Sequence, residues 1–174
     1  LPFIVIGQIT EDIQYYESGE VKYKVKLVDG KKQDEAIGYY ESGAIKKRTN
    51  YIDGKGQGEE IGYYESGEVK FKHNLVDGER QGEQLHYYKI GTVEFQRFFV
   101  KKGQGEEIGY YESGEVEYKV NFVDGKQQGE VIDYYESGAI QSKGNYVDDE
   151  QHGEEIRYYE SGEVKSKGNY VDGK

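Results

Sequence analysis

The sequence predicts an all-β fold in which tandem β-hairpins, seven units of about 24 residues, form a single elongated, twisted antiparallel sheet. Three observations lead to this prediction. The pentapeptide Tyr-Tyr-Glu-Ser-Gly recurs at an almost constant spacing, runs of alternating apolar and polar residues lie between its copies, and Ser-Gly and Asp-Gly pairs separate those runs. A repeat of this length is typical of units that stack on their neighbours.

The repeat is marked by its pentapeptide. The copies begin at Tyr15, Tyr39, Tyr63, Tyr110, Tyr134 and Tyr158, with a degenerate copy at Tyr87. The period is 24 residues, except that it is 23 residues from Tyr87 to Tyr110. Alignment of the units places the missing residue in the turn at residues 100–105. Because turns tolerate changes in length, we expect the strand register to be unaffected.

Each unit contains two strand-like runs, which are residues 60–64 and 68–76 in the third unit. Residues 68–72 read Glu-Val-Lys-Phe-Lys, so apolar and charged side chains alternate, and the three charged ones are predicted to share a face. The Glu-Ser-Gly segment between the runs predicts a tight hairpin with a bulge. The Asp-Gly-Lys-x-Gln-Gly-Glu segment predicts a longer polar loop. The predicted topology is therefore an antiparallel meander.

Stacking of the units predicts which side chains share a face. One apolar row continues, on the same parity, into the first tyrosine of each pair, so it is the predicted core face. This row consists of Ile13, Ile37, Ile61, Leu85, Ile108, Ile132 and Ile156. The second tyrosines then point to the opposite face, beside a position that is glycine at Gly38, Gly62 and Gly109. Glycine at that position leaves room for a ring to lie flat on the backbone.

Composition restricts the function classes. A formal net charge of −11 opposes binding to nucleic acid phosphates and to anionic lipid head groups, and it favours a basic or neutral partner. The chain has no cysteine, which excludes disulfides, thiolate zinc sites and thiol nucleophiles. No stretch reaches the roughly 20 apolar residues of a membrane-spanning helix. We therefore expect no nucleic acid partner, and an anionic membrane is disfavoured.

Residues 1–9 are interpreted separately from the repeat array at residues 10–174, whose last repeat is expected to be truncated. Residues 1–8 read Leu-Pro-Phe-Ile-Val-Ile-Gly-Gln and resemble the end of a cleaved signal peptide. The alternative is an N-terminal capping strand for the first repeat, and both interpretations stay open. An extracytoplasmic or cell-surface location is slightly favoured over a cytoplasmic one.

No residue pattern indicates catalysis, a metal site or a cofactor. The histidines, His73, His86 and His152, occupy different columns of the repeat, so they are not expected to converge on a metal ion. Consecutive glutamates in a strand point to opposite faces. The recurrent serines lie in the hairpin turns, and turn formation explains them. We expect a protein that is not an enzyme and that needs no cofactor.

The second tyrosines form a ladder that is the main candidate binding face. The ladder comprises Tyr16, Tyr40, Tyr64, Tyr88, Tyr111, Tyr135 and Tyr159. Rows of rings suit a protein surface, a peptide or a glycan, because rings contribute contact area at low entropic cost. The alternative is that the rings stack on one another and stiffen the sheet. Both interpretations remain open.

The fourth repeat departs from the consensus and supplies a second candidate. It brings Phe95, Phe98 and Phe99 together with Arg97, and Phe98 falls on a parity that other units fill with polar residues. An exposed patch of Arg97 and Phe98 is therefore expected there. Drift of a single repeat explains the same residues equally well.

The unit at residues 158–174 resembles the MORN repeat, in the bacterial variant known from YwqK-family antitoxin components. The shared features are the aromatic pair, the Ser-Gly turn, the Tyr-x-Asp-Gly segment and the following Gly-Glu, and the last two appear at residues 51–54 and 58–59. The resemblance implies a single-layer sheet. It also implies the roles that MORN arrays serve, which are those of scaffolds, oligomers and lipid-associated proteins.

Taken together, these features predict a non-catalytic protein-binding or assembly scaffold, because fold alone defines no site and no catalytic cluster is present. The expected partner is another protein, including a second copy or a larger assembly, while a peptide or a glycan remains open. Two alternatives are an antitoxin-like inhibitor of a cognate protein, which the resemblance implies, and a membrane-associated scaffold.

Overall fold

The structure, a computed structural model, describes residues 7–101, 103–171 and 173, and only the backbone at residues 99–101. The regular elements in this part of the chain are all β-strands. They fall into two compact units, one within residues 1–80 and one within residues 81–174. No helix that could cross a bilayer occurs in the described part.

The first unit is an open antiparallel meander, in which each strand pairs with the next one along the chain. Its six strands are β1 (Ile9–Tyr15), β2 (Val21–Val28), β3 (Lys31–Tyr39), β4 (Ile45–Ile52), β5 (Lys55–Tyr63) and β6 (Val69–Val76). Neighbouring strands thereby satisfy one another's backbone groups.

The second unit repeats this meander, counting β7, which begins at Glu79. Its strands are β7 (Glu79–Tyr87), β8 (Val93–Lys101), β9 (Gln104–Tyr110), β10 (Val116–Val123), β11 (Lys126–Gln127), β12 (Gly129–Tyr134), β13 (Ile140–Val147), β14 (Glu150–Gln151), β15 (Gly153–Tyr158) and β16 (Val164–Tyr170). The short strands β11 and β14 pair with β10 and β13 and are separated from β12 and β15 by one residue each. The prediction of an all-β fold built from tandem hairpins is confirmed.

Two kinds of turn alternate along the chain. At the Ser-Gly turns the second tyrosine begins the turn: Gly43 donates its N–H to the Tyr40 carbonyl at 2.9 Å, and Tyr40 donates its own N–H to Ala44 at 2.8 Å. Gly43 has φ +85°, and a bulge follows in the next strand, as the sequence predicts. At the Asp-Gly turns both residues have positive φ, as at Asp53 (51°) and Gly54 (82°), which is a two-residue type I′ turn.

The prediction of a longer polar loop after Asp-Gly is wrong. In the third repeat β5 resumes at Lys55, directly after the type I′ turn, and runs to Tyr63. The second glycine of the supposed loop, Gly58, lies inside this strand with φ +74°, where the register against β4 shifts. The sequence of a polar strand with a glycine bulge resembles that of a loop, because bulges need the same positive-φ residues as turns.

The shortened fourth-to-fifth repeat keeps its register, as predicted. Ile108 pairs with Gln96, just as Ile61 pairs with Arg48 in an unshortened repeat. The missing residue is accommodated between Phe99 and Gly105, where one extra residue remains on β8. The register at the strand centres is therefore unaffected, and the irregularity is confined to the end of β8 next to the turn.

The predicted core face is wrong, because the most buried side chains have the opposite parity. The isoleucine row is only half-buried throughout. In the first unit the most buried side chains are Val25, Ala36, Thr49, Glu60, His73 and Leu75, and in the second they are Gln84, Glu107 and Val120. Ile37 is flanked by Lys24 and Arg48, whose side chains are only partly exposed and leave the aliphatic surface partly open. The opposite face carries aromatic rings, which cover their neighbours more completely.

Glycine does leave room for rings on the backbone, but the rings are not those of the second tyrosines. The ring of Phe71 lies on Gly62, its cross-strand partner, and the ring of Tyr118 lies on Gly109. A Cβ atom at either glycine would stand 2.1 Å from a ring carbon. The glycine column thus allows close contact between a ring and the sheet on the more buried face.

Residues 1–6 of the predicted signal remnant or capping strand lie outside the described residues, so that prediction stays open. The described chain at Gly7 and Gln8 already packs against the first Asp-Gly turn. The Gln8 N–H donates to Asp29 Oδ1 at 2.9 Å, and the Gln8 carbonyl accepts from the Asp29 N–H at 2.9 Å. The paired array begins one residue later, at Ile9.

Candidate functional site

The hydroxyls of the tyrosine ladder are engaged in joining successive repeats. In the first unit the Tyr16 hydroxyl donates to the Tyr39 carbonyl at 2.7 Å, and the Tyr40 hydroxyl donates to the Tyr63 carbonyl at 2.8 Å. In the second unit the same bond joins Tyr88 to Tyr110, Tyr111 to Tyr134 and Tyr135 to Tyr158, at 2.9, 2.6 and 2.8 Å. Each of these rings is therefore fixed at two points, by the turn that holds its backbone and by the hydrogen bond of its hydroxyl. These bonds join successive repeats within each unit, and the part of the ladder available to a ligand is the ring surface.

Three lysines lie against the rings of the ladder in the first unit. Lys22 Nζ is 5.5 Å from the ring centroid of Tyr16, Lys46 Nζ is 5.5 Å from that of Tyr40, and Lys70 Nζ is 5.4 Å from that of Tyr64. These are cation–π distances, and the exposed ammonium groups remain available to solvent. We call Lys22, Lys46 and Lys70 the rung lysines.

The hairpin bulge explains why the rung lysines lie beside the rings. Gly62 pairs with Phe71 and Tyr63 with Val69, so Lys70 is the extra residue of the bulge. Lys22 and Lys46 are the extra residues of the equivalent bulges. A bulge interrupts the strict alternation of side chains. The prediction that Lys70 and Lys72 share a face is therefore wrong.

The next basic residue of each strand has a different environment. Lys24 pairs with Glu11 at 3.3 Å, Arg48 with Glu35 at 3.6 Å, and Lys72 with Glu59 at 4.0 Å. Their cross-strand neighbours are the isoleucines of the half-buried row. We call Lys24, Arg48 and Lys72 the opposite-face residues. They are two positions from the rung lysines in sequence, yet their charges are already paired.

The rung lysines border a groove of about 590 Å³ in the first unit. Its lining contains five lysines, seven aromatic residues, one glutamine and one glycine, and no acidic residue is part of it. The lining residues are Gln14, Tyr16, Lys22, Tyr23, Lys32, Gly38, Tyr39, Tyr40, Lys46, Lys47, Tyr51, Tyr63, Lys70 and Phe71. The volume lies within the range of ligand-binding clefts, and a surface of rings and ammonium groups matches an anionic, partly apolar ligand.

Lys32 is clamped within this groove by two tyrosines. Its Nζ lies 5.0 Å from the ring centroid of Tyr23 and 5.2 Å from that of Tyr51. The Tyr23 hydroxyl is buried and approaches Tyr51 without good hydrogen-bond geometry. Burial, and secondarily the charge of Asp12, raise the pKa of Tyr23, so it stays neutral at physiological pH. The clamp keeps a positive charge at the aromatic surface of the groove.

A buried carboxylate, Glu60, lies beside the groove and neutralises Lys47. Glu60 Oε2 accepts from Lys47 Nζ at 2.9 Å and from Thr49 Oγ1 at 2.8 Å, and Oε1 lies 3.6 Å from His73 Nδ1. Burial alone would raise the pKa of Glu60, but the contacts from His73, Lys47 and Thr49 outweigh it and lower the pKa to about 2. Glu60 is therefore ionised at neutral pH, which suits a structural counter-ion and not a general acid.

The second unit changes the sign of the charge along the ladder. Glu94, Glu117 and Gln141 stand where the first unit has the rung lysines, and lysine returns only at Lys165, 5.7 Å from the ring centroid of Tyr159. Burial raises the pKa values of Tyr88 and Tyr111, and Glu117 adds to both shifts. The basic character of the groove is thus a property of the first three repeats and not of the repeat in general.

The expected patch of Arg97 and Phe98 does not form, because these neighbouring residues point apart. Arg97 makes a two-nitrogen ion pair with the buried Glu107, and its guanidinium lies 5.2 Å from the Phe122 ring centroid. Phe98 is on the other face, 50% exposed, with Glu83 and Glu106 as its cross-strand neighbours. Consecutive strand residues alternate between faces, and no bulge intervenes here. Phe98 alone stays a candidate contact, whereas Arg97 is part of the packing.

A second hollow, of about 440 Å³, lies within the second unit. Three of its four charged lining residues have polar partners: Glu155 accepts from Arg157 Nε at 3.1 Å and from the Tyr170 hydroxyl at 3.1 Å, and Asp133 accepts from Ser142. No three histidines or carboxylates in the described part of the chain are placed to hold a metal ion. The groove of the first unit is therefore the better candidate site.

Some of the predicted site residues lie at the groove, and others lie outside it. Tyr16 and Tyr40 line the groove, and Tyr64 carries the third rung lysine on its ring. Tyr88, Tyr111 and Tyr135 belong to the ladder of the second unit, and Tyr159 is 51% exposed. The sequence reasoning missed the groove lysines and Tyr51. The predicted hairpin bulge was the available signal, because it implies that the residue after Val21, Ile45 or Val69 departs from the alternation.

Comparison with known families places four segments of the chain in a described repeat. Residues 57–77, 104–124, 127–148 and 151–172 match the family model described as "MORN repeat variant". The first of these segments covers most of β5 and the whole of β6, so the matched unit is one hairpin with its flanking turn. A search among curated proteins found no match. The chain thus carries MORN repeats, while an antitoxin activity gains no support from these comparisons.

Proposed function

We propose that this array of MORN repeats is a non-catalytic scaffold that binds another protein in the groove of its first unit. One observation carries the proposal: in a chain with a net charge of −11, a concave surface is lined by seven aromatic residues and by four lysines in addition to the Glu60-paired Lys47, and no lining residue is acidic. Charges of one sign gathered in a cleft raise the local concentration of oppositely charged partners.

The geometry supports binding because the contact surface is already ordered. The ladder hydroxyls and the turns fix the rings, so little side-chain entropy is lost when a partner contacts them. A protein segment supplies both apolar side chains for the rings and carboxylates for the ammonium groups. The overall negative charge continues to oppose nucleic acid and anionic membranes at long range.

The charge of the groove differs from that of the whole chain, and this changes the kind of partner that we expect. The net charge of the chain favours a basic or neutral partner, but the groove favours an acidic one. Residues 1–80 contain 12 Lys and Arg against 15 Asp and Glu, whereas residues 81–174 contain 11 against 19. The excess of negative charge thus lies mainly in the second half of the sequence. A partner with an acidic docking segment fits the groove better than a basic one.

Two triple variants with equal loss of charge test this proposal. One changes the rung lysines (Lys22→Gln, Lys46→Gln and Lys70→Gln), and the matched control changes the opposite-face residues (Lys24→Gln, Arg48→Gln and Lys72→Gln). Both alter the same three strands, and both lower the net charge by the same amount. Circular dichroism and thermal denaturation verify that each variant is folded.

The rung variant is expected to bind about fivefold to a hundredfold more weakly than the parent protein, because three exposed charge contacts of a few tenths to 1 kcal/mol each are lost. The control is expected to bind within about twofold of the parent, since its charges are paired within the sheet. The measurement is the dissociation constant for a protein captured on the immobilised parent and identified by mass spectrometry. Equal loss of affinity in the two variants would locate the binding surface elsewhere.

A further inference from the structure

We propose that the segment bound in the groove is an acidic polypeptide in the polyproline II conformation, with a carboxylate at every third residue. This inference rests on the proposed function and names the chemistry of its ligand. The argument depends on the spacing and the number of the rung lysines and on the aromatic walls between them.

The spacing of the rung lysines matches one regular conformation of a polypeptide. Lys22, Lys46 and Lys70 occupy the same position in consecutive repeats. Each repeat adds two strands to the sheet, so equivalent positions recur about every 9.6 Å. A polyproline II helix rises about 3.1 Å per residue with three residues per turn, so every third side chain lies on the same side, about 9.3 Å from the last.

Other regular conformations fit the row of lysines less well. In an extended β-strand, side chains on one face recur about every 6.7 Å. This spacing is shorter than that of the lysines, so only the first side chain would coincide with a lysine. In an α-helix the closest match is every seventh residue, about 10.5 Å, and the error grows to about 2 Å at the third lysine. An α-helix is also about 10 Å wide, which demands a broader cleft.

The walls of the groove suit the same conformation. Polyproline II segments dock on clefts lined with aromatic residues, where rings contact the ridges of the helix. Tyr16, Tyr40, Tyr51 and Phe71 provide such rings, and the ladder bonds hold two of them in place. Because the polyproline II helix has no internal hydrogen bonds and is already extended in solution, it loses little entropy on binding.

The number of rung lysines sets the expected length of the ligand. The first unit holds three of them, Lys22, Lys46 and Lys70, one in each of its repeats. Three lysines are matched by carboxylates at the first, fourth and seventh residues. The recognised segment is therefore about seven residues long, or roughly 19 Å between its outer carboxylates.

A set of synthetic peptides separates register from charge. The matched peptide is fluorescein-labelled Glu-Pro-Pro-Glu-Pro-Pro-Glu-Pro-Pro amide. Its control is the isomer with three consecutive glutamates followed by six prolines, which has the same composition and charge. A third peptide replaces each glutamate of the matched sequence with lysine. Binding to the full chain and to both triple variants is measured by fluorescence anisotropy at low and at physiological salt.

The matched peptide is expected to bind at least about tenfold more tightly than its isomer, and the lysine peptide not at all. Binding of the matched peptide is expected to be lost in the rung variant and kept in the opposite-face variant. Equal affinity for the matched peptide and its isomer would overturn the inference, because charge alone would then explain binding. If no peptide binds while a captured protein still depends on the rung lysines, the inference fails and the proposed function stands. If neither depends on them, both fail.

Discussion

The Gly62→Ala variant is expected to have a free energy of unfolding about 2 kcal/mol lower than that of the parent protein. Gly62 is buried, and an added Cβ would stand 2.1 Å from Phe71 Cε1 and 2.4 Å from Cζ. The ring cannot stay flat on the strand, so it must rotate outward and uncover the more buried face. The measurement is urea-induced unfolding followed by circular dichroism, with the midpoint and the slope compared between variants.

Gly38→Ala is the matched control for this prediction. Gly38 occupies the same column one repeat earlier, but the nearest atoms to an added Cβ are 4.0 Å away. The substitution is expected to be neutral or to stabilise the protein by up to about 1 kcal/mol, because alanine restricts the unfolded chain. Equal destabilisation of the two variants would contradict the ring contact and point to a general intolerance of side chains in this column.

The Arg97→Leu variant is expected to lose about 3 kcal/mol of stability. Glu107 is only 7% exposed and is neutralised by the Arg97 guanidinium, while the Tyr118 hydroxyl donates to its other oxygen at 2.9 Å. Removal of Arg97 leaves a buried carboxylate without its counter-ion, which is among the costliest single changes in a folded protein. The free energy of unfolding from urea titration measures the effect.

The double variant Arg97→Leu, Glu107→Gln distinguishes loss of charge pairing from loss of packing. Glutamine already stands at the equivalent position of the preceding repeat, as Gln84. In the Glu107→Gln variant we expect the amide oxygen to keep accepting from the Tyr118 hydroxyl. We expect the double variant to regain most of the lost stability, since no buried charge remains. A double variant as unstable as Arg97→Leu would show that Arg97 acts through its contacts with Phe95 and Phe122.

The repeat pattern was sufficient to predict the hairpins, the tight Ser-Gly turns and the register across the shortened repeat. These features depend on local chemistry. Glycine and aspartate tolerate the positive φ of the turns, and a fixed period places equivalent strands side by side. The glycine column was also predictable as a place for rings, although not which rings occupy it.

The identity of the buried face was not predictable from hydrophobicity alone. Because isoleucine is more apolar than glutamate, the sequence predicts that Ile61 and its row are core residues and that Glu60 is a surface residue. Burial in a single sheet depends instead on what covers each position from the neighbouring strand. Glu60 lies between Thr49 and His73 on the neighbouring strands, and its contacts with Lys47, Thr49 and His73 make the burial of its charge tolerable.

The groove was hidden from the sequence for two reasons. The net charge of −11 averages over both units and conceals the basic lining of the first. The bulge in each hairpin removes Lys22, Lys46 and Lys70 from the strict alternation of side chains between the two faces. A one-residue irregularity thus decides whether a lysine is paired within the sheet or borders a cleft.

Photo-crosslinking from the two faces of the first unit is the most direct test of where the partner binds. The photoreactive residue p-benzoylphenylalanine replaces Gln14, which is exposed and lines the groove, or Glu35, which is exposed and pairs with Arg48 on the opposite face. We expect the captured partner to crosslink from position 14 and not from position 35. Crosslinking from position 35 alone, or equally from both positions, would contradict the assignment of the groove as the binding site.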